Sequence, residues 1–157
     1  MPLPLGYLAI TGFVGLVGYL AVRGKASKVF ISYYSKRDSH YKNLIVAWAK
    51  NNKFKLNIED VSTDIKIKSE NLQYLKRRMK EKIEESDCVI VFVGVDTHER
   101  PWVDWEVERA IELKKPIIAV KEKRTHKSPK SLLGCGAIWI NGFSEEKIRE
   151  ALKVALS

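Results

Sequence analysis

The chain has 157 residues, with 28 Lys+Arg against 19 Asp+Glu and a net charge of +9. None of those charges falls in residues 1–22, so an uncharged head joins a highly charged body. That distribution excludes an evenly soluble globule, a disulfide-stapled secreted module and a disordered chain, and the body is long enough to bury a core.

Leu3 to Val22 reads LPLGYLAITGFVGLVGYLAV, without an ionisable group except Tyr7 and Tyr19. At about 1.5 Å per residue such a helix spans roughly the 30 Å hydrocarbon layer. Arg23, Lys25 and Lys28 follow it. Positive charge stays inside, so the body is expected in the cytoplasm and Met1 outside. A cleaved signal peptide needs basic residues ahead of its apolar core, and no Lys or Arg precedes residue 23. Gly12, Gly15 and Gly18 form a small-residue strip that allows helices to approach closely. Glycine's general frequency in membrane helices explains the strip as well. The expectation is a transmembrane anchor and basic linker over 1–27, with a single-pass topology at the cell membrane, and a cytoplasmic domain over 28–157.

The body alternates short apolar runs with amphipathic ones. Val29–Tyr34 (VFISYY) reads as a buried strand, and Tyr41, Leu44, Ile45 and Trp48 then recur at helical spacing. Phe54–Ile58 is a short second strand, and Glu59–Lys68 a polar loop. Ser69 is positioned to cap a helix whose stripe is Leu72, Leu75, Met79 and Ile83. Cys88–Val93 (CVIVFV) has the continuous apolar character of a central parallel strand. After the loop Gly94–Arg100, Pro101 suits the first turn of a helix with Val103, Val107, Ala110 and Ile111 as its core stripe. Pro116–Val120 is the next strand, Lys121–Leu133 a basic loop and Ala137–Ile140 the last strand. Ser144 is placed to cap a final helix with Ile148, Ala151, Leu152 and Ala155 inside.

Strand–helix alternation of this kind predicts an α/β fold: a five-stranded parallel sheet with helices on both faces. Ligands bind such open sheets beyond the C-terminal strand ends. No phosphate-binding glycine motif stands there, and no Cys/His spacing suits a metal. Cys88 and Cys135 do not make a disulfide framework. The basic surplus, including Lys76, Arg77, Arg78, Lys80 and Lys82, reads first as a solvated helix face. Attraction to anionic lipid and steering of an anionic dinucleotide are the functional readings. No recognised nucleic-acid module is present, so nucleic acid is not an expected partner.

Two stretches carry a resemblance: VFISYYSKRD (Val29–Asp38) and SDCVIVFVGVDTHERPWVDWEVERAIELKKPIIAV (Ser86–Val120). Together they resemble a TIR domain, in the TIR-like branch found in Thoeris anti-phage systems, over almost all of Lys28 to Ser157. The resemblance implies a flavodoxin-like fold. In many members it also implies cleavage of NAD at the nicotinamide–ribose bond, with NAD as substrate and no permanently bound cofactor. Other members do no chemistry and act as assembly adaptors.

The Trp-Val-Asp-Trp-Glu segment places the family's essential acid at Glu106. By spacing, Glu106 shares a helical face with Trp102, Trp105 and Arg109, away from the core stripe and beside aromatic surface. From spacing alone, the simpler reading makes Glu106 and Glu108 solvated charges and the tryptophans packing; the resemblance reverses it. Ser32, Tyr33 and Tyr34 end the first strand, where the family lines its nucleotide site; turn formation explains them equally. Asp60 opens a loop that gates the site in TIR domains. The segment DVSTDIKIK lacks the proline and glycine often seen there. The apolar head implies a lipid bilayer as partner, and the family implies homo-oligomers, formed through TIR and transmembrane contacts, with a partner defence protein. A nucleoside deoxyribosyltransferase-like enzyme shares the fold and a catalytic Glu, but matches the Trp-Val-Asp-Trp-Glu segment less well.

Overall fold

The computed structural model describes residues 27–50, 56–59 and 71–157. In chain order the elements are β1 (Ser27–Ser32), α1 (Ser35–Lys50), β2 (Leu56–Glu59), α2 (Leu72–Glu85), β3 (Cys88–Val93), α3 (Pro101–Glu112), β4 (Ile117–Lys121), β5 (Ile138–Asn141) and α4 (Glu145–Ala155). Short 3-10 turns cover Thr97–Glu99 and Lys130–Leu132.

The sheet runs β2-β1-β3-β4-β5, with every pairing parallel. Four strands, β1, β3, β4 and β5, form its packed body; Ile31 lies opposite Ile90, Ile90 opposite Ile118, and Ile118 opposite Ile138. The four-residue β2 joins at the edge through its register with β1, from Ser27 opposite Leu56 to Phe30 opposite Glu59. The chain thus leaves β1 for one edge and returns through β3 on the other side. The two connections diverge between β1 and β3, which opens a crevice at their C-terminal ends.

Residue alternation along the strands builds two cores. Val29, Ile31, Cys88, Ile90, Phe92, Ile118 and Val120 face α1 and α4, where Tyr41, Ile45, Ile148 and Leu152 meet them. Phe30, Val89, Val91, Val93, Ile117 and Ala119 face α2 and α3, packing on Met79, Ile83, Val103, Val107 and Ala110. All six residues of β3 are buried, as its unbroken apolar run requires of a strand covered on both faces.

Several sequence expectations need correction. Leu44, Leu72 and Ile111, each assigned to a core stripe, are exposed. They lie at the margins of their stripes, where helical spacing cannot tell the rim from the centre. The cap of α2 is Asn71, whose side chain accepts from the Tyr74 N–H at 3.1 Å; the expected cap, Ser69, lies outside the described residues. Ser144 holds the cap position of α4 without a side-chain bond. The expected basic loop is part structure: Lys121 completes β4, and Leu132 in the second 3-10 turn is fully buried. The apolar segment 3–22, Phe54 and the loop containing Asp60 also lie outside the described residues. Among those described, no helix is long and apolar enough to cross a membrane. Cys88 and Cys135 are free thiols, and burial pushes the Cys88 thiol up to about 12.

Gly94, just after β3, is held by a close approach. A Cβ there would stand 2.8 Å from both carboxylate oxygens of Asp38, a buried residue in the first turn of α1. Asp38 is short and cannot swing clear. Gly94→Ala is therefore expected to cost about 1–3 kcal/mol of stability through overpacking. In chemical denaturation the double variant Gly94→Ala/Asp38→Ala should lose less than the two single losses added together.

Candidate functional site

The helix α3 carries a carboxylate on its buried face. Val103, Glu106, Val107 and Ala110 are its buried residues, a stripe with three- and four-residue steps. Glu106 is 1% exposed. The sequence reading set it beside open aromatic surface; the structure sets it against the sheet instead. It is met there by Ser32, the last residue of β1 and itself fully buried, whose hydroxyl donates to Glu106 Oε2. A hydroxyl donating to a carboxylate is among the stronger neutral–charged contacts a protein interior makes.

Above this pair the chain opens into a cleft of about 340 Å³, lined by Tyr33, Tyr34, Leu72, Leu75, Arg100, Pro101, Trp102 and Val103. Tyr33 and Tyr34 follow Ser32 directly, while Trp102 and Val103 precede Glu106 by one turn of α3. Glu106 itself lines no described cleft. The Arg100 guanidinium lies over the Tyr34 ring, its central carbon 4.0 Å from the ring centre. Trp102 stacks on Trp105 with centroids 5.4 Å apart. Trp105 faces a second, larger cleft of about 580 Å³ with Leu72, Lys76, His98, Glu99, Pro101, Trp102, Asp104 and Glu108.

A second group of acids sits across the sheet ends. Asp38 is buried, and burial, followed by the neighbouring charge of Glu122, holds its carboxyl above the ordinary value; His40 and Arg37 pull the other way and Asp96 adds to the rise. Tyr41 hydrogen-bonds Glu122, and burial drives its hydroxyl well above the ordinary range. Arg37 closes this edge with a 2.5 Å ion pair to Asp96. Among the described residues no group of His, Cys, Asp and Glu is arranged to hold a metal ion.

Residues 30–127 match the family described as "Thoeris protein ThsB, TIR-like domain". The chain belongs to this family. No curated protein matches it. Among solved structures it is similar to the CMP N-glycosidase BcmB of Clostridium botulinum, at 15% identity and a TM-score of 0.59, over 82% of this chain and 98% of that one. It is also similar to a 3-dehydroquinate dehydratase-like protein of Bifidobacterium longum, at 14% identity and a TM-score of 0.45, over 83% and 95%. At such identities the first likeness shows a shared fold and the second carries no argument.

Within this TIR-like domain, the expected site residues divide into three groups. Tyr33, Tyr34 and Trp102 come together around one cleft. Ser32 and Glu106 form the buried pair behind it. Trp105 faces the neighbouring cleft, and Asp60 lies outside the described residues. Arg100 was missed, although a signal was present. It stands at the N-cap of α3, where the helix dipole disfavours a cation and no side-chain cap bond is made. The Asp38–Glu122–Tyr41 group joins residues far apart in sequence and has no local signal.

Ser32→Ala would remove the described donor to a buried carboxylate, at an expected cost of about 1–3 kcal/mol in denaturant unfolding. Asp38 gives a pH prediction. Its carboxyl is raised on folding from 3.8, so the folded state binds the proton more tightly. Its contribution is most favourable below that value and is lost as pH rises through the folded value. Thermal unfolding from about pH 4 to about pH 7 should show Asp38→Asn declining less with rising pH than the wild type.

Proposed function

We propose that this TIR-like protein cleaves NAD at the nicotinamide–ribose bond in prokaryotic anti-phage signalling, with Glu106 as the catalytic carboxylate. The observation that carries the reading is the Ser32–Glu106 pair, buried at the end of β1 directly behind an aromatic cleft at the sheet's switch point. Family membership supports it, as does the N-glycosidase activity for which the similarly folded Clostridium botulinum protein is named.

The chemistry needs little else. The bond from ribose C1′ to the nicotinamide nitrogen breaks, and its electron pair leaves with neutral nicotinamide. The ribose is left oxocarbenium-like, and a carboxylate nearby stabilises that charge. Water then adds to C1′ and releases a proton, or a substrate hydroxyl adds and closes a cyclic product. A ribose hydroxyl can take over the donor position that Ser32 fills. Tyr34 and Trp102 offer flat surface for the rings, while the Tyr33 ring is buried in the core on the α1 and α4 side. NAD is substrate here, and no permanent cofactor is required. The apolar anchor and basic linker, residues 1–27, would hold the protein in the cell membrane with its domain, 28–157, in the cytoplasm. Contacts between copies, and with a partner defence protein, would set activity; nucleic acid has no part.

One observation favours a second reading. Glu106 is buried against Ser32 and lines neither of the two described clefts, as suits a non-catalytic adaptor that clusters at the membrane. Nicotinamide release by the full chain in liposomes separates the two. Glu106→Gln keeps the shape and removes the charge; the expected loss is at least about 100-fold. A wild type that stays inactive when clustered would select the adaptor reading.

A further inference from the structure

Leu72, Pro101 and Trp102 line both clefts, so the two share a wall, but their charges differ. The larger cleft carries Glu99, Asp104 and Glu108 against Lys76 and His98. Three carboxylates make it a poor place for an anion. The smaller carries one charged residue, Arg100, and no acid.

Arg100 is also left uncommitted by its neighbours. Among the described residues it pairs with no carboxylate, whereas Arg37, Arg78, Arg109 and Arg149 each do. Among the described residues its Nε is buried without a hydrogen-bond partner, a state it shares with the Nε of Arg149. An unanswered donor in a buried position is costly, and such atoms in native proteins call for an explanation. Stacking on Tyr34 explains the plane of the guanidinium but, among the described residues, leaves the N–H groups at its edge without a carboxylate partner. The helix beginning at Pro101 adds its positive end to the same side of the cleft. The cleft's volume, about 340 Å³, lies within the roughly 300–1,000 Å³ of small-ligand sites.

We propose that Arg100 holds a phosphate of the ligand, so that this cleft takes phosphorylated nucleosides in preference to nucleosides or free rings. The aromatic walls receive the ring and the guanidinium edge receives the phosphate oxygens, in the paired geometry that Arg makes with phosphate. This rests on the nucleotide reading of the site given above and adds a selectivity that Glu106 cannot supply.

The test is equilibrium binding to the full chain of two probes that differ only in the phosphate, nicotinamide mononucleotide and nicotinamide riboside. Wild type should bind the mononucleotide roughly tenfold or more tightly. Arg100→Gln should remove that preference and leave the riboside unchanged, while Arg100→Lys, which keeps the charge without the fork, should retain part of it. An equal fall for both probes would overturn the proposal and leave Arg100 as a support for Tyr34. Equal wild-type affinities, or binding of neither probe, would overturn it too. Competition by inorganic phosphate as strong as that by the mononucleotide would overturn the nucleotide assignment. Binding and turnover fail separately: selective binding without nicotinamide release sinks the hydrolase reading and keeps this one, and NAD cleavage indifferent to Arg100 does the reverse.

Discussion

A carboxylate packed against the central sheet has to be answered by a donor, and Ser32 answers Glu106. The contact joins the end of β1 to the second turn of α3, across 74 positions of sequence. It therefore sets the height of α3 along the sheet. With Glu106 at Ser32, the turn before it brings Trp102 and Val103 to the level of Tyr33 and Tyr34. The cleft follows from that one registration. Apolar packing of Val103, Val107 and Ala110 holds the helix on the sheet, but it is non-directional and would tolerate a slide that the hydrogen bond does not.

The other end of the crevice is arranged on the same principle with the opposite sign. Asp38 is buried against the backbone of Gly94, and its strongest electrostatic neighbour, Glu122, is also an acid. Glu106 accepts from a hydroxyl, while burial and the charge of Glu122 disfavour Asp38 as an anion. One carboxyl lies at the β1 end and the other beside the backbone that follows β3. A fold seldom keeps a penalised buried acid for packing alone, since an amide fills the same volume. That asymmetry separates a carboxylate answered by a hydroxyl from a carboxyl whose proton is held more tightly.

Much of the frame was legible because its signals are local. The six residues of β3 form an unbroken apolar run, Pro101 marks the first turn of α3, and strand–helix alternation dictates the parallel sheet. Depth was less legible. Helical spacing defines a direction around the axis but not how far the neighbouring layer extends along it, so Leu72 and Ile111 were read as core and lie exposed. Glu106 shows the same limit from the other side. At about 100° per residue, it stands nearer the centre of the Val103–Val107–Ala110 stripe than Ile111 does. A lone carboxylate on an apolar stripe was thus a signal in its own right, hidden by the habit of assigning charges to solvent. The Asp38–Gly94 contact could not be read at all, because it depends on which loops the sheet order brings together.

Charge acts at two ranges in this molecule. The net +9 is a property of the whole body and draws anions toward it without selecting among them. Screening over roughly 8 Å at physiological salt removes most of that pull at any single exposed lysine. Selection has to come from a cation that is held still and partly shielded. Arg100 meets both conditions, fixed by Tyr34 on one face and shielded at its buried Nε. The acids of the adjoining cleft sharpen the contrast across Trp102. An anionic group approaching this surface therefore has one favourable side of that tryptophan, and it is the side that lies above Glu106.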